Sequence, residues 1–353
     1  MRVAIITDTH FGARNDNQNF SEYFFKFYEE HFFPYLKENN ITHCLHLGDI
    51  MDRRKFVSYR TAKNFRERFI KPFSDLGIQL HILVGNHDTY FKNTNEVNSI
   101  TELIGTRYDN VHIYPEAKEI ELDGLPVMLV PWINASNHAK TMSAMDKSKA
   151  DILMGHLEVQ GFEMNKGVRC ENGYAKDLFR KFDTVFSGHF HIKSDDGHIY
   201  YLGNPYEIYW NDCGDKRGFH IFDTETRQLD RIINPLTIFK KIYYDDTTTN
   251  YKDHDITQYK EHYVKVIVVN KKDLYQFDQF VDKLLGADCF EVKVIEDFSD
   301  LDANTVSDDI VENTQDTMTI LNLYIDDIET SLDKGRLKNL QRQIYMEAQD
   351  LQI

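Results

Sequence analysis

The chain has 353 residues, 41% hydrophobic and 28% charged, with a formal net charge of −16, enough apolar content for a sizeable core and too acidic overall for a uniformly basic polyanion binder. No apolar run reaches membrane-spanning length and no signal region precedes the first strand, so a soluble, cytoplasmic protein is expected. The four cysteines, Cys44, Cys170, Cys213 and Cys289, lack CxxC spacing, which excludes a thiolate zinc motif and points to reduced, structural thiols.

The acidity is uneven. Residues 241–353 hold 24 acidic and 12 basic side chains, so −12 of the −16 falls there and only −4 on residues 1–240. Bound divalent cations would shift the field of that first part further positive, which leaves a polyanionic substrate open.

Residues 2–7 (RVAIIT) form the first predicted strand, apolar on both faces as a buried parallel strand is, and end in Asp8-Thr9-His10-Phe11-Gly12. The spacing of Phe20, Phe24, Phe27, Phe32 and Tyr35 predicts a helix over 20–36 with an aromatic core face. HCLHL at 43–47 is the second strand and runs into Gly48-Asp49-Ile50-Met51-Asp52-Arg53-Arg54. A helix over 58–73, capped by Ser58 and turning Ala62, Phe65, Phe69 and Phe73 inward, stops at Gly77. The third strand, 81–84, halts at Gly85, and Asn86, His87 and Asp88 follow.

A helix near 99–104 precedes three β segments, VHIY, KEIEL and PVMLVPWI, the last two joined by the hairpin signal Asp123-Gly124. The logic then repeats. A helix at 136–148 leads to a strand at 151–154 and Gly155-His156; another near 175–181 leads to a strand at 184–186 and Gly188-His189-Phe190-His191. Two series of strands with helices between them predict an α/β fold: a two-sheet sandwich flanked by helices over 1–240. Residues 241–295 read as a small α+β domain, with a strand at 263–269, a helix at 274–285 and a strand at 290–294. Eight acidic and no basic residues at 296–316 predict a flexible linker. The helical tail at 317–353 has apolar positions such as Met318, Leu321, Ile325, Leu337 and Ile344 with no nearby core to cover. These are read as a partner surface in preference to back-packing.

Taken singly, each polar cluster is as well explained by a solvated turn or a satisfied histidine. Five in succession at the ends of apolar strands are not, because that is where α/β sheets collect ligands. Seven groups, Asp8, His10, Asp49, Asn86, His156, His189 and His191, suffice for a pair of divalent cations, and Asp49 is the natural anionic bridge between them. In DTH and HFH the ligands fall at i and i+2, which projects both to one side of a fraying strand. Imidazole with carboxylate favours manganese, iron or zinc over magnesium. His87 is left beside the metals to protonate or stabilise a leaving oxygen, with Asp88 to orient it. Two cations over a cleft suit in-line displacement at phosphorus.

The ordered set DTH, GD, GNHD, GH and GHFH over residues 8–191 resembles the calcineurin-like metallophosphoesterase superfamily. Within it, GDIMDRRK at 48–55, LVGNHD at 83–88, VPWI at 130–133, GHLEVQGF at 155–162, SGHFH at 187–191 and YLGNPYE at 201–207 resemble the SbcD and Mre-type nuclease subunits of double-strand-break repair, most of all those of tailed phages. The resemblance implies a first metal held by Asp8, His10, Asp49 and His191, a second held by Asp49, Asn86, His156 and His189, and His87 as the catalytic histidine. It further implies a manganese-dependent 3′ to 5′ exonuclease with single-strand endonuclease action on DNA ends, partnered by an SbcC-type coiled-coil ATPase, as a homodimer within a heterotetramer. On the same resemblance the small α+β domain is a DNA-binding cap and the helical tail grips the ATPase coiled coil.

One position departs from the pattern. Many cellular relatives carry a second active-site histidine three residues after the GD aspartate, and this chain has Asp52. Arg53 or Arg54 then contacts DNA phosphate, or pairs with Asp52 at a helix start. Asp52-Arg53 also resembles the GDxVDRG stretch of serine/threonine phosphatases; a cyclic-nucleotide phosphodiesterase and an inactive scaffold for the ATPase are further alternatives. GNHD, the terminal GHFH and the tail argue against the two enzymes, and the intact ligand set against the scaffold.

Overall fold

Val3, Ala4, Ile5 and Ile6 leave almost no side-chain surface to solvent, so the strand they form, β1 (Arg2–Ile6), belongs in the middle of a sheet. The computed structural model places it there. The structure describes residues 1–165, 168–296, 324–325, 334–338 and 340, which fall into two units, residues 1–208 with 212–239 and residues 209–211 with those from 240 on.

The strands follow in chain order as β2 (His43–His46), β3 (Gln79–Leu83), β4 (Val111–Tyr114), β5 (Lys118–Leu122), β6 (Leu125–Val130), β7 (Ile152–His156), β8 (Glu163–Asn165), β9 (Val168–Arg169), β10 (Thr184–Gly188), β11 (Ser194–Asp195), β12 (Ile199–Tyr201), β13 (Gly218–Asp223) and β14 (Leu229–Ile233). Two six-stranded sheets result, ordered β14-β13-β1-β2-β3-β4 and β11-β12-β10-β7-β6-β5. β1, β2, β3 and β4 pair in parallel, as do β6, β7, β10 and β12. Val3, Ile5, Leu45 and Leu83 of the first sheet meet Val127, Leu129, Ile152, Met154 and Phe186 of the second in one buried cluster. The fold is therefore the helix-flanked two-sheet sandwich expected from the strand pattern.

The outer face of the first sheet carries the aromatic helices. Asn17 caps Gln18–Phe27, which continues through a π-helical turn at Tyr28–Phe32 into Phe33–Glu38. Ser58 caps Tyr59–Asn64, followed by a second π turn at Phe65–Ile70 and by Lys71–Asp75. The two π turns pack together, with Tyr28 and Phe69 at 4.9 Å between ring centroids. Each buried ring removes enough apolar surface from water to stabilise the fold by about 2–3 kcal/mol. The helix expected near 175–181 is instead a single 3₁₀ turn, Lys176–Phe179: the amide of Asp183 is already tied to Asp151 at the entry to β10, which leaves no room for a second turn. The edge hairpin β13–β14 is antiparallel and is not marked by any apolar alternation in the 229–233 stretch.

In the second unit, β15 (Phe239–Asp245), β16 (Tyr263–Asn270) and β17 (Glu291–Ile295) form a three-stranded sheet. The helix Leu274–Leu285, capped by Asp273, links β16 to its parallel partner β17 and buries Phe277, Phe280 and Leu284 against Tyr244, Tyr251, Val264 and Val266. The expected linker beyond Glu296 and the expected tail at 317–353 lie outside the described residues, apart from helical residues at 324–325, 334–338 and 340. No described helix is long and apolar enough to cross a membrane.

One stability prediction arises from β13. His220 is 1% exposed, and burial, with Arg231 and Lys193 adding to it, pushes its pKa down to about 3. Its contribution is whole above the ordinary histidine pKa of about 6.5 and is lost as pH falls from there toward 3, because the unfolded chain takes up a proton that the folded one refuses. Denaturant unfolding at about pH 7 and about pH 5 is expected to show a loss on the order of 2 kcal/mol from this residue, and His220→Gln should remove that part of the slope.

Candidate metal centre

Parallel strands point their C-terminal ends the same way, so the loops after β1, β2 and β3 leave one end of the first sheet together, and those after β7 and β10 leave the second sheet together. The register of β7 and β10 sets Gly188 level with His156. Asp8 and His10 follow β1, Asp49 follows β2, Asn86 follows β3, His156 closes β7, and His189 and His191 follow β10.

Four of these residues hold positive φ: Asp8 at 53°, His10 at 43°, Asp49 at 55° and His189 at 89°. The left-handed region costs an L-residue about 1–2 kcal/mol, and such conformations persist where surrounding bonds over-determine them, commonly at functional sites. Here the amide of Asp8 donates to the Gly48 carbonyl at 3.0 Å, that of His10 to the Asp49 carbonyl at 3.2 Å, and that of His189 to the Asp8 carboxylate at 3.1 Å. Gly85 lies so close to the Asp49 amide and carboxylate, and Gly188 so close to Thr7 and Asp8, that a methyl at either would overlap them.

The seven side chains converge. Among the described residues, Asp8, His10 and His191 form one group and Asp49, His156 and His189 another, each with its ligand atoms within 4.8 Å of one another. Nε2 of His10 and Nε2 of His191 are 3.0 Å apart. Oδ1 of Asn86 lies 2.8 Å from His156 Nε2 and 2.9 Å from His189 Nδ1. Asp49 stands between the groups, its Oδ2 3.3 Å from His156 Nε2 and 3.9 Å from His10 Nε2. An all-nitrogen-and-oxygen donor set, with buried imidazole nitrogens aimed at one another across a hydrogen-bond distance, fits divalent cations of intermediate hardness.

Charge agrees with that use at three of the imidazoles and at Asp49, while His156 and Asp8 must give up a proton to a bound cation. Burial holds His10 and His189 well below the usual imidazole pKa and His191 at about 4, so their lone pairs are available at neutral pH. Burial also opposes ionisation of Asp49, but His156 and His87 outweigh it and keep its carboxyl well below the usual range. Burial would lower His156 too, yet Asp49 and Asp8 carry it up to about 9. Asp8 is pushed up to about 7 by burial.

His87 sits edge-on to His10, with centroids 4.9 Å apart. Its amide donates to Asp49 Oδ1 at 2.8 Å, and its Nδ1 lies 2.6 Å from the carbonyl oxygen of Asp52. Asp88, expected to orient this ring, has a different task. Its Oδ1 accepts from the amides of Ile50 and Met51 and its Oδ2 from that of Gly85, all at 2.9 Å. A carboxylate one residue away in sequence is the obvious partner for the imidazole; the sharp turn at 85–88 points it back into the loops instead.

Asp52 Oδ1 lies 3.7 Å from His10 Nδ1. Arg53 turns to the Asn15 side chain and to Asp16 at 4.0 Å, and its guanidinium covers the Phe56 ring at 4.9 Å. Arg54 is partly buried facing Asp49 and Asp88. Trp132, which carries no role in the motif pattern, lies 5.1 Å from the His189 ring, its carbonyl held by the side-chain amides of Asn95 and Asn137.

Paired nitrogen and oxygen clusters at the C-terminal ends of a two-sheet sandwich define a metal-dependent phosphoesterase. The family model for the calcineurin-like phosphoesterases matches residues 1–193, and the chain belongs to that family. It is 33% identical over 319 residues to "Exonuclease subunit 1" of Enterobacteria phage T4, across 89% of this chain and 90% of the relative. It is also 25% identical over 187 residues to a subunit of the nuclease SbcCD from Staphylococcus epidermidis, across 44% and 48% of the two chains. Among solved structures, an archaeal phosphodiesterase overlays at a TM-score of 0.35 and 15% identity, across 66% of this chain and 99% of its own. The family that DTH, GD, GNHD, GH and GHFH pointed to is the family found, and it implies divalent metals.

Proposed function

We propose that this protein is the nuclease subunit of a DNA end-processing complex: a manganese-dependent 3′ to 5′ exonuclease and single-strand endonuclease that works with an SbcC-type coiled-coil ATPase in recombination, replication and repair. The observation that carries this reading is Asp49 standing between two donor clusters with His87 beside them. The 33% identity to a phage exonuclease subunit over 89% of the chain supports DNA as the substrate.

In this reading Asp8, His10, Asp49 and His191 hold one ion, and Asp49, Asn86, His156 and His189 the other. Bound there, Mn2+, or Fe2+, Zn2+ or Mg2+ in its place, supplies charge stabilisation at phosphorus and activation of water. The chain's own groups do the rest. Asp52, through its carbonyl, holds the His87 ring by Nδ1, which turns Nε2 to the leaving 3′ oxygen for protonation or stabilisation. Asp88 keeps the loops carrying Asp49 and Asn86 together, so it serves catalysis through the frame.

Charge suits a polyanion here despite the acidic total. Residues 53–68 hold seven basic and one acidic side chain, directly after the loop that carries Asp49. Arg53 and Arg54 are assigned to backbone phosphate. Arg53→Gln is expected to raise KM with little change in kcat, and to lower the slope of log affinity against log salt by about 1; an unchanged slope would remove it from the DNA path. The second unit is assigned to capping the DNA, the tail to the ATPase, and the functional form to a homodimer in the cytoplasm, that of the host if the gene is a phage's.

Purified protein with Mn2+ is expected to release mononucleotides from the 3′ ends of a labelled duplex. A preference for phosphoserine peptides, or for cyclic nucleotides, would reverse the ranking. Deleting residues 317–353 should abolish co-purification with the ATPase; unchanged binding would move the docking surface elsewhere.

A further inference from the structure

The stretch Tyr201–Glu207 takes no part in the ligand set, yet it is buried beside it. Tyr206 has no exposed surface. Its hydroxyl donates at 2.6 Å to the carbonyl of Thr9, the residue between Asp8 and His10. Its ring is stacked on Phe24 at 4.0 Å and 12° and edge-on to Tyr28, so it cannot swing away. The neighbouring Asn204 donates its amide to the carbonyl of His191 at 3.3 Å. That same carbonyl accepts from Arg217, whose Nη1 also donates to the Asn204 side chain. Arg217 is 4% exposed and is held from behind by Asp212 at 2.7 Å and Asp215 at 3.1 Å. Gly203, at φ +74°, passes so close to the His191 carbonyl that a side chain there would strike it.

We propose that Tyr206, Asn204 and Arg217 form a buried brace that positions the two loops of the Asp8–His10–His191 cluster, giving this stretch control over retention of one ion of the pair. The proposal rests on the two-ion reading above. Its physical basis is that Asp8 and His10 stand in the left-handed region, which L-residues leave unless neighbouring bonds hold them. The peptide between them is gripped at Thr9 by one end of the brace, while the other end grips His191 at its carbonyl. The second cluster is held differently, by Asn86 and the Trp132 wall. All three brace residues act through the ligands and are positioning residues.

The test is a Mn2+ titration of the full chain, followed by calorimetry and by tryptophan emission, since Trp132 lies against the second cluster and responds to its filling. Tyr206→Phe removes one hydroxyl and keeps the packed ring. In that variant one binding event is expected to weaken about tenfold, the equivalent of one buried hydrogen bond, while the event seen by Trp132 stays as in the wild type; the metal-free melting temperature falls with the loss of the same bond. Arg217→Lys, which keeps the charge opposite Asp212 but loses the fork to two oxygens, should act in the same direction; if it fails to fold, Tyr206→Phe decides alone. Two ions bound with unchanged affinities in Tyr206→Phe would overturn the brace. Equal weakening of both events would overturn it as well, in favour of a purely structural role. A wild-type chain that takes up fewer than two ions would overturn the two-ion reading itself, and the brace with it.

Discussion

Asp49→Asn is expected to lower hydrolysis by about 10³-fold or more and to cut Mn2+ uptake from two ions to at most one. The side chain reaches toward both clusters, 3.3 Å from His156 Nε2 and 3.9 Å from His10 Nε2, and His156 and His87 together outweigh burial and leave it ionised. An amide has the same shape and can still accept from the His87 amide through Oδ1, but it carries no charge to offset the repulsion of two cations at close range. Calorimetric stoichiometry and cleavage of a labelled duplex measure the two effects separately. Full uptake of two ions by Asp49→Asn would mean that the bridge lies elsewhere.

His87→Gln is expected to leave both ions bound and to slow release of a 3′ alcohol by about 10²–10⁴-fold, the range of a lost general acid. The geometry behind this is the 2.6 Å contact from Nδ1 to the Asp52 carbonyl, which fixes the ring and, in the proposed function, leaves Nε2 to meet the leaving oxygen. A substrate with a p-nitrophenolate leaving group needs little proton assistance, so the same variant should lose far less on it. An equal loss on both substrates would recast His87 as an electrostatic group. Asp88→Asn separates the neighbouring roles: its carboxylate accepts from three backbone amides, so its loss should appear first as a lower melting temperature.

Much of the fold follows from local pattern. The buried run of β1, the aromatic spacing of the two long helices, the Ser58 cap and the Asp123-Gly124 turn each depend on contacts within a few residues or on a single apolar face, and all are present as read. Other features depend on packing from afar. The π turns at Tyr28–Phe32 and Phe65–Ile70 arise where two helices press against each other, and the shortened turn at Lys176–Phe179 follows from where β10 begins. The roles around His87 divide in the same way. His87 itself is marked by its place at a strand end, whereas the carbonyl that holds it belongs to a residue 35 positions away and leaves no trace in side-chain identity. A backbone oxygen is the same in every residue, so no motif can announce it.

The sequence by itself determined the class of the molecule: apolar strands alternating with helices, each strand running out into histidine, aspartate or asparagine, and a family that uses such ends for metals. Only the tertiary structure decided that Asp88 ties loops together, and that Tyr206 and Arg217 reach Thr9 and His191 from 197 and 26 residues away. Periodicity reports which side of an element is buried, because that depends on neighbours along the chain. Which atoms meet across the sandwich depends on register and on the end from which each loop leaves, and those are set by the packing of the two sheets as a whole.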